Sequence, residues 1–548
     1  MHQVHTERAV ASEPFDAIII GSGLGGLIAG ALLAQAGKRV LLLERHDKFG
    51  GAATTFKRRD LQVEVSLCVM DGLDAMDFKT PVFAKLGLSS SVPIVTAPDF
   101  YHLHHPLLGD DFVMPRGFEQ AMAACTERFP QHAKGIRTYF TTIRQIRNTR
   151  NDQLIQQLKT GHTLLNDLDT LGKNLPDDAR IPLSMPDTLW RARKISMARF
   201  LQTLFGNDES IKFVLCANMY FTSSDLNHIS IFDFSLSQAS YHYGSHYVHG
   251  GSQRLSDQLV HLIRNAGGQA WCRRNVTRIL IEQGRAVGVE HHKAPVIGSS
   301  KPVNDPDPQQ ARARLILGNA PPRAIGNLLP EPHKQIFDQP YNGIPADNSN
   351  WTIYLGFDKK PSHYGVRHYV NFVYPAWFDT TGKLHDSGNV MGLPPGSKVP
   401  PFLFCDYSQL GEMIAESGQC LGMMGWLDRL SNWQPSDENT YQTRKSAWLD
   451  QMIAALDKRF PGIGESIVYK EMATPRTVQA YLNDPEGGVH GFADPELMKL
   501  GRPLHRSSNT TVDGLLIASA FMFGTGYSKA ILAGTVAAEA AFRELQKG

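Results

Sequence analysis

The chain has 548 residues, 42% of them hydrophobic and 20% charged, which is enough to bury two packed cores without a disulfide or metal staple. Its formal net charge of +2 excludes bulk attraction to nucleic acid or to a strongly anionic surface. Cys68, Cys125, Cys216, Cys272, Cys405 and Cys420 are scattered singly with no C-x-x-C pair, which argues against structural zinc, an iron–sulfur site or a disulfide framework and fits a reducing compartment.

The tail at 1–14 lacks the apolar core of a signal peptide. No uninterrupted apolar stretch reaches the roughly 20 residues of a membrane span. A cytoplasmic protein is the expectation, with peripheral membrane contact left open.

The first informative stretch begins at Phe15. Asp16 to Ile20 reads as a short buried strand, and Gly21-Ser22-Gly23-Leu24-Gly25-Gly26 follows directly. An Ala/Leu/Gly-rich helical stretch runs from Leu27 to Gln35, Gly37 ends it, and Arg39 to Leu43 forms a second buried strand that finishes at Glu44. Gly21, Gly23 and Gly26 match G-x-G-x-x-G: one glycine for the tight turn, one for close approach of a diphosphate, one for helix–sheet packing. The helix N-terminus offers free N–H groups and partial positive charge to the phosphates. Glu44 lies 18 residues beyond Gly26, where an acid gripping ribose hydroxyls belongs, and favours an unphosphorylated ribose. Gly50-Gly51-Ala52 supplies a second flexible pair suited to a long extended cofactor.

With Glu44-Arg45 and Gly50-Gly51 in place, the chain resembles the phytoene desaturase, carotenoid isomerase and retinol saturase family of FAD-dependent oxidoreductases, whose fold is amine-oxidase-like. Further blocks carry the resemblance along nearly the whole chain. Met114-Pro115-Arg116-Gly117 with Phe129-Pro130 is similar to the segment after the family's first hairpin. Gly250-Gly251 opens an amphipathic helix with Leu255, Leu259, Leu262 and Ile263 at helical spacing. Val276 to Ile281 reads as a strand, and the resemblance implies that backbone around Val276 touches the adenine. Leu315 to Pro321 resembles the family's N-A-x-P step beneath the cofactor, with Asn319 in it. Ala473 to Thr477 with Tyr481 matches a further block, and Gly514 to Ser519, Phe523 to Tyr527 and a small-residue helix at Ala530 to Phe542 close the chain. There the resemblance places a helix N-terminus near the flavin pyrimidine, bringing in Ser519, Gly526 and Tyr527. Two positions depart from the pattern: Ser519 stands where many relatives carry Asp, and Glu64-Val65-Ser66 replaces an Asp-x-Gly.

The implied fold is α/β: a Rossmann-like FAD-binding domain, discontinuous in sequence, with an α+β substrate or cap domain. Its parts are the tail at 1–14, nucleotide-binding parts at 15–115, 249–330 and 476–548, a largely helical cap region at 116–248, and a substrate domain with a sheet at 331–475. His291 to Gln310, polar and rich in Pro, Lys and Asp, reads as an exposed excursion replacing a hairpin tip. The cofactor-binding set is Gly21, Ser22, Gly23, Leu24, Gly25, Gly26, Glu44, Arg45, Gly51, Ala52, Val276, Asn319, Ser519, Gly526 and Tyr527.

No second strand–G-x-G-x-x-G–helix unit is visible, which excludes a separate NAD(P)H domain. Quinone, oxygen or a soluble carrier is the expected electron acceptor. Leu183 to Tyr247 is dense in apolar residues (Phe200 to Phe205, Phe213 to Leu215, Met219 to Phe221), reading as core or as the lining of a tunnel for a hydrophobic small molecule. His242 and His246, beside the Gly250-Gly251 junction, together with Tyr527, are the candidates for moving a proton. His102, His104 and His105 are read as a surface loop, and no metal is expected. The expected activity is oxidation or reduction at carbon–carbon bonds of a polyene, isoprenoid or lipid. The alternatives are flavin-dependent isomerisation without net redox change and non-catalytic escort-type lipid binding.

Overall fold

The computed structural model describes residues 14–160, 192–295, 308–434, 437–489, 491–492, 508–524 and 526–547. The tail, the first part of the apolar cap stretch and most of the polar excursion lie outside them. A seven-stranded sheet carries the nucleotide-binding part. β1 (Phe15–Ile20) lies at its centre, parallel to β2 (Val40–Leu43) on one side and to Gln309–Gly318 on the other. Gln269–Trp271 extends the β2 side, Leu515–Ile517 joins Gln309–Gly318 in parallel, and an antiparallel hairpin, Arg274–Glu282 with Arg285–Lys293, completes the sheet. The core strands are apolar on both faces because helices cover both. Ile18, Ile19, Leu41 and Leu42 are fully buried, each worth about 1.5–3 kcal/mol relative to exposure.

Helix α1 (Leu24–Gln35) is buried from Leu24 through Ala34, without the polar stripe of a surface helix. It is held between the Gly526–Gln546 and Ser252–Asn265 helices. Small residues set that closeness: a Cβ on Gly534 would lie 2.3 Å from the Gly25 carbonyl oxygen, and one on Gly30 would lie 2.9 Å from Ile263 Cδ1.

A second seven-stranded sheet forms the cap, in the order Ile467–Ala473, Ser349–Phe357, Cys420–Asp428, Phe402–Asp406, Val370–Val373, Asp99–His104, Phe112–Pro115. All neighbours are antiparallel except Val370–Val373 with Asp99–His104. Two consequences differ from the sequence reading. Asp99–Pro115 joins this sheet and not the first nucleotide-binding part, because Asn371 pairs with His102 and Val373 with His104. His104 and His105 are correspondingly buried rather than in a surface loop. His104 Nε2 faces Asn371 Oδ1 at 3.3 Å, and His105 Nε2 donates to the Phe378 carbonyl at 2.9 Å. Likewise His291 and Gln309 pair within strands, and the interior of the expected excursion lies outside the described residues.

Within the cap region the helices Met197–Phe205, Glu209–Cys216 and Ile231–Tyr243 follow one another, and the long Ala133–Thr160 helix packs against the last of them. Leu201, Phe205, Phe213, Val214, Leu215 and Met219 are all buried, so this apolar stretch serves as core.

Candidate functional site: a dinucleotide crevice

The turn from β1 into α1 is built around glycines whose reasons are now visible. Gly21 has φ +92°, and a Cβ there would lie 2.7 Å from the Asn319 carbonyl oxygen. Gly25 leaves still less room: a Cβ would come within 2.0 Å of the Ala518 carbonyl. Strands from three distant parts of the sequence thus converge under one loop. Asn319 braces it, donating from Nδ2 to the carbonyls of Gly21 and Gly23 at 3.1 Å each. Asn319 therefore shapes the loop from below. Gly23 is the N-cap of α1 and offers no side-chain cap, so the helix's first N–H groups stay available to an anion.

Glu44, 4% exposed, sits at the end of β2. Its carboxylate accepts from Ser22 N at 2.8 Å, Ser22 Oγ at 2.5 Å and His46 N at 2.9 Å. Three donors leave about one of the carboxylate's roughly four acceptor sites, on Oε1, for a ribose hydroxyl. Ser22 also accepts from Gly50 N, at its carbonyl and at its hydroxyl, 3.1 Å each, which ties the second glycine pair to the first loop. A Cβ on Gly51 would lie 3.1 Å from Gly23 Cα. The Ala52 carbonyl accepts from Ser66 Oγ at 2.8 Å. Arg274 N donates to the Glu44 carbonyl and Arg273 N to that of His46, both at 2.7 Å, which brings the strand holding Val276 beside the ribose acid. Arg45 donates to the carbonyls of Ala480 and Tyr481.

At the far end, Ser519 Oγ accepts from Phe521 N at 3.4 Å, and Gly526, with φ +89°, opens the closing helix with no described atom within 4 Å of where its Cβ would lie. Tyr527 follows in the first turn. Its ring is half-buried, yet its hydroxyl oxygen is buried and without a hydrogen-bond partner. The Ser66 and Ser252 hydroxyls lie beside it, donating to Ala52 and Glu64 and leaving their own oxygens able to accept from it. Burial, with the Glu64 charge nearby, pushes the Tyr527 hydroxyl above its ordinary pKa.

Glu64 is the residue that sequence reasoning missed. Fully buried, it accepts from Ser252 N at 2.9 Å, Ser252 Oγ at 2.6 Å and Tyr247 OH at 3.0 Å, and burial raises its pKa. The alternation Leu61-Gln62-Val63-Glu64 would have placed it outward, so no local signal marks it. Behind the same helix end, Ser528 Oγ donates to Asp71, the start of a buried ionic chain. In it Lys79 lies 3.9 Å from Asp71 and 2.9 Å from Asp77, and Arg147 lies 3.0 Å from Asp77.

The three proton candidates separate clearly. His246 uses both ring nitrogens: Nε2 donates to the Gly72 carbonyl at 2.8 Å, which leaves Nδ1 to accept from Thr96 Oγ1 at 3.0 Å. His242 lies in an aromatic cage of Phe100, Phe118 and Phe140, with ring centroids 5.1, 5.0 and 5.3 Å away, and its Nδ1 has no partner. Burial pushes its pKa down to about 3. Both histidines have the surroundings of structural groups. Tyr527 alone combines an unpartnered polar atom with a place at the mouth of the crevice.

His102, His104 and Asp111 bring ligand-type atoms within 4.8 Å of one another. The Arg459 guanidinium, however, bonds both His104 Nδ1 and Asp111, so a cation already neutralises that cluster.

Fingerprint loop, ribose acid, second glycine pair and closing helix together define a Rossmann-like fold of the FAD-dependent oxidoreductase class. The orphaned Tyr527 hydroxyl and the open face above Gly526 fit such a cofactor. The model of the NAD(P)-binding Rossmann-like domain family matches residues 19–78. Over 92% of its length the chain is 26% identical to prolycopene isomerase 1 of an Oncidium hybrid cultivar, covering 79% of that protein. It is 24% identical to rat all-trans-retinol 13,14-reductase over 89% of its length and 79% of the relative. Among solved structures, cyclohexylamine oxidase from Brevibacterium oxydans superposes with a TM-score of 0.55 at 15% identity, over 97% of this chain and all of that one. The fold is shared with amine oxidases, and the similarity over about nine-tenths of the chain runs to enzymes named for polyenes and retinoids. Among the described residues no helix is long and apolar enough to cross a membrane.

Proposed function

We propose that this protein is an FAD-dependent oxidoreductase acting on carbon–carbon single or double bonds of a hydrophobic polyene, isoprenoid or related lipid. One observation carries the reading: similarity over about nine-tenths of the chain to both a prolycopene isomerase and a retinol 13,14-reductase. When bound, the flavin supplies two-electron chemistry, taking or giving a hydride equivalent.

The remaining work falls to residues of the chain. The N-terminus of α1 attracts the diphosphate, and Glu44 takes the ribose hydroxyls. The first turn of Gly526–Gln546 directs its N–H groups and partial positive charge into the crevice, favouring negative charge there. Tyr527 holds a proton at a desolvated hydroxyl, beside the Glu64–Ser252–Tyr247 hydrogen-bond set. In the desaturating direction electrons leave to quinone or oxygen and in the saturating direction they pass to the substrate double bond; the protein works in the cytoplasm, in peripheral contact with a membrane.

A second reading, double-bond isomerisation with no net redox change, is favoured by the 26% identity to the isomerase. An anaerobic spectrum over about 300–550 nm, before and after dithionite and then with an all-trans or cis polyene, tests both. Stoichiometric reoxidation of the reduced protein by polyene supports reduction, and isomer interconversion by the reduced protein without reoxidation supports isomerisation. A colourless protein that takes up no FAD overturns both.

A further inference from the structure

In an open parallel sheet the dinucleotide lies off the carboxyl ends of the strands. Glu44 marks that edge for β2, and the two residues after it bind a segment more than 430 positions away. Arg45 donates to the carbonyls of Ala480 and Tyr481, the latter at 2.8 Å, across sequence separations of 435 and 436. His46 Nε2 donates to the same Tyr481 carbonyl at 2.8 Å, which fixes its tautomer. These acceptors are the last carbonyls of the Pro475–Leu482 helix, which ends at Asn483 in the left-handed region. The negative end of that helix therefore faces a guanidinium and an imidazole.

The side chains complete the junction. The His46 and Tyr481 rings stack with centroids 5.4 Å apart and an interplanar angle of 8°. Tyr481 nonetheless remains 51% exposed, among the most exposed large apolar side chains of the protein. Hydrophobic burial does not account for an aromatic plate in that position, bonded at its own carbonyl to the two residues that follow the ribose acid. Contact with a second flat, partly polar group does.

We propose that Arg45, His46 and Tyr481 form a clasp over the adenosine half of the bound dinucleotide, closing the crevice from the cap side and setting the rate at which the cofactor leaves. The inference rests on the FAD reading above. The recognised chemistry is an adenine nucleoside diphosphate, so ADP alone is held by the clasp and FMN, which has no adenosine, is not.

The test is cofactor release from the holoprotein, followed by the rise of flavin fluorescence after dilution, in the wild type, Tyr481→Ala, Tyr481→Phe and His46→Ala. Loss of one stacked ring speeds FAD release about ten-fold in Tyr481→Ala and His46→Ala, and Tyr481→Phe stays near the wild type. ADP affinity for the apoprotein falls by a similar factor in the two alanine variants, whereas FMN affinity does not change. Because Tyr481 is half exposed, melting of the apoprotein stays the same, which separates a clasp from a folding defect. FAD release and ADP affinity unchanged in Tyr481→Ala overturn the clasp. An equal loss of FMN and FAD also overturns it, because the effect would then not run through adenosine. A wild-type apoprotein that takes up neither FAD nor ADP overturns the FAD reading itself.

Discussion

Replacing His242 by phenylalanine removes an imidazole from a cage of three phenylalanines and keeps a ring of similar shape. In the native protein burial holds the His242 pKa at about 3, whereas an unfolded histidine titrates near 6.5. The unfolded chain therefore binds the proton first on acidification, and the stabilising contribution, fully present above about pH 6.5, drains away as pH falls toward 3. From pH 7.5 to pH 5 roughly 1.5 pK units of that window are crossed, and at 1.36 kcal/mol per unit the loss is about 2 kcal/mol. Urea unfolding at the two pH values measures it directly. His242→Phe loses about 2 kcal/mol less than the wild type between them, while flavin content and turnover at pH 7.5 stay the same. An unchanged pH dependence would falsify the burial argument. A folded, flavin-loaded His242→Phe without turnover would instead make His242 a proton carrier and displace Tyr527 from that role.

Three further changes probe the crevice. Glu44→Ala and Gly23→Val each strip the flavin, read as the ratio of flavin to protein absorbance after gel filtration; stoichiometric FAD in both refutes the assigned crevice. Asn319→Ala removes two hydrogen bonds that brace the glycine loop, weakening FAD binding by about 1–2 kcal/mol. Asn319→Asp is worse, because it turns acceptors toward the Gly21 and Gly23 carbonyls; calorimetry that finds the aspartate variant the tighter binder contradicts the bracing role. Tyr527→Phe deletes a buried hydroxyl with no partner, so apoprotein stability holds or rises while turnover with polyene falls; equal turnover in stopped-flow assays removes Tyr527 from proton transfer.

The nucleotide-binding half was legible in the sequence where its parts are local. β1, the glycine loop, α1, β2 and Glu44 occupy consecutive residues, so strand, turn and helix signals arrive in register. The cap was less legible because its contacts are long-range: nothing in Asp99 to Pro115 announces that the strand pairs beside Val370–Val373. The same distance explains His242, whose neighbours Phe100, Phe118 and Phe140 come from separate segments, leaving only its nearness to Gly250-Gly251 visible beforehand. Glu64 was hidden for a different reason. Two-residue periodicity sends it outward, and only the N-terminus of the Ser252–Asn265 helix, arriving from 188 positions away, turns it into an interior acceptor. Asn319 was visible as a loop residue under the cofactor, but its two bonds to the first loop depend on strand pairing across almost 300 residues.

That the sheet draws its last parallel strand from Leu515–Ile517, and that α1 is walled by Gly526–Gln546, has a consequence for how the protein is made. During vectorial synthesis the glycine loop emerges long before the helix that packs on α1 and the Ala518 carbonyl that crowds Gly25. The N-terminal nucleotide stretch cannot mature as an independent unit on the ribosome. Its apolar helix waits, exposed, until the Gly526–Gln546 helix is translated. A nascent chain arrested before residue 515 therefore lacks both the strand and the helix that complete the crevice, and flavin capture reports translation through residues 515–546.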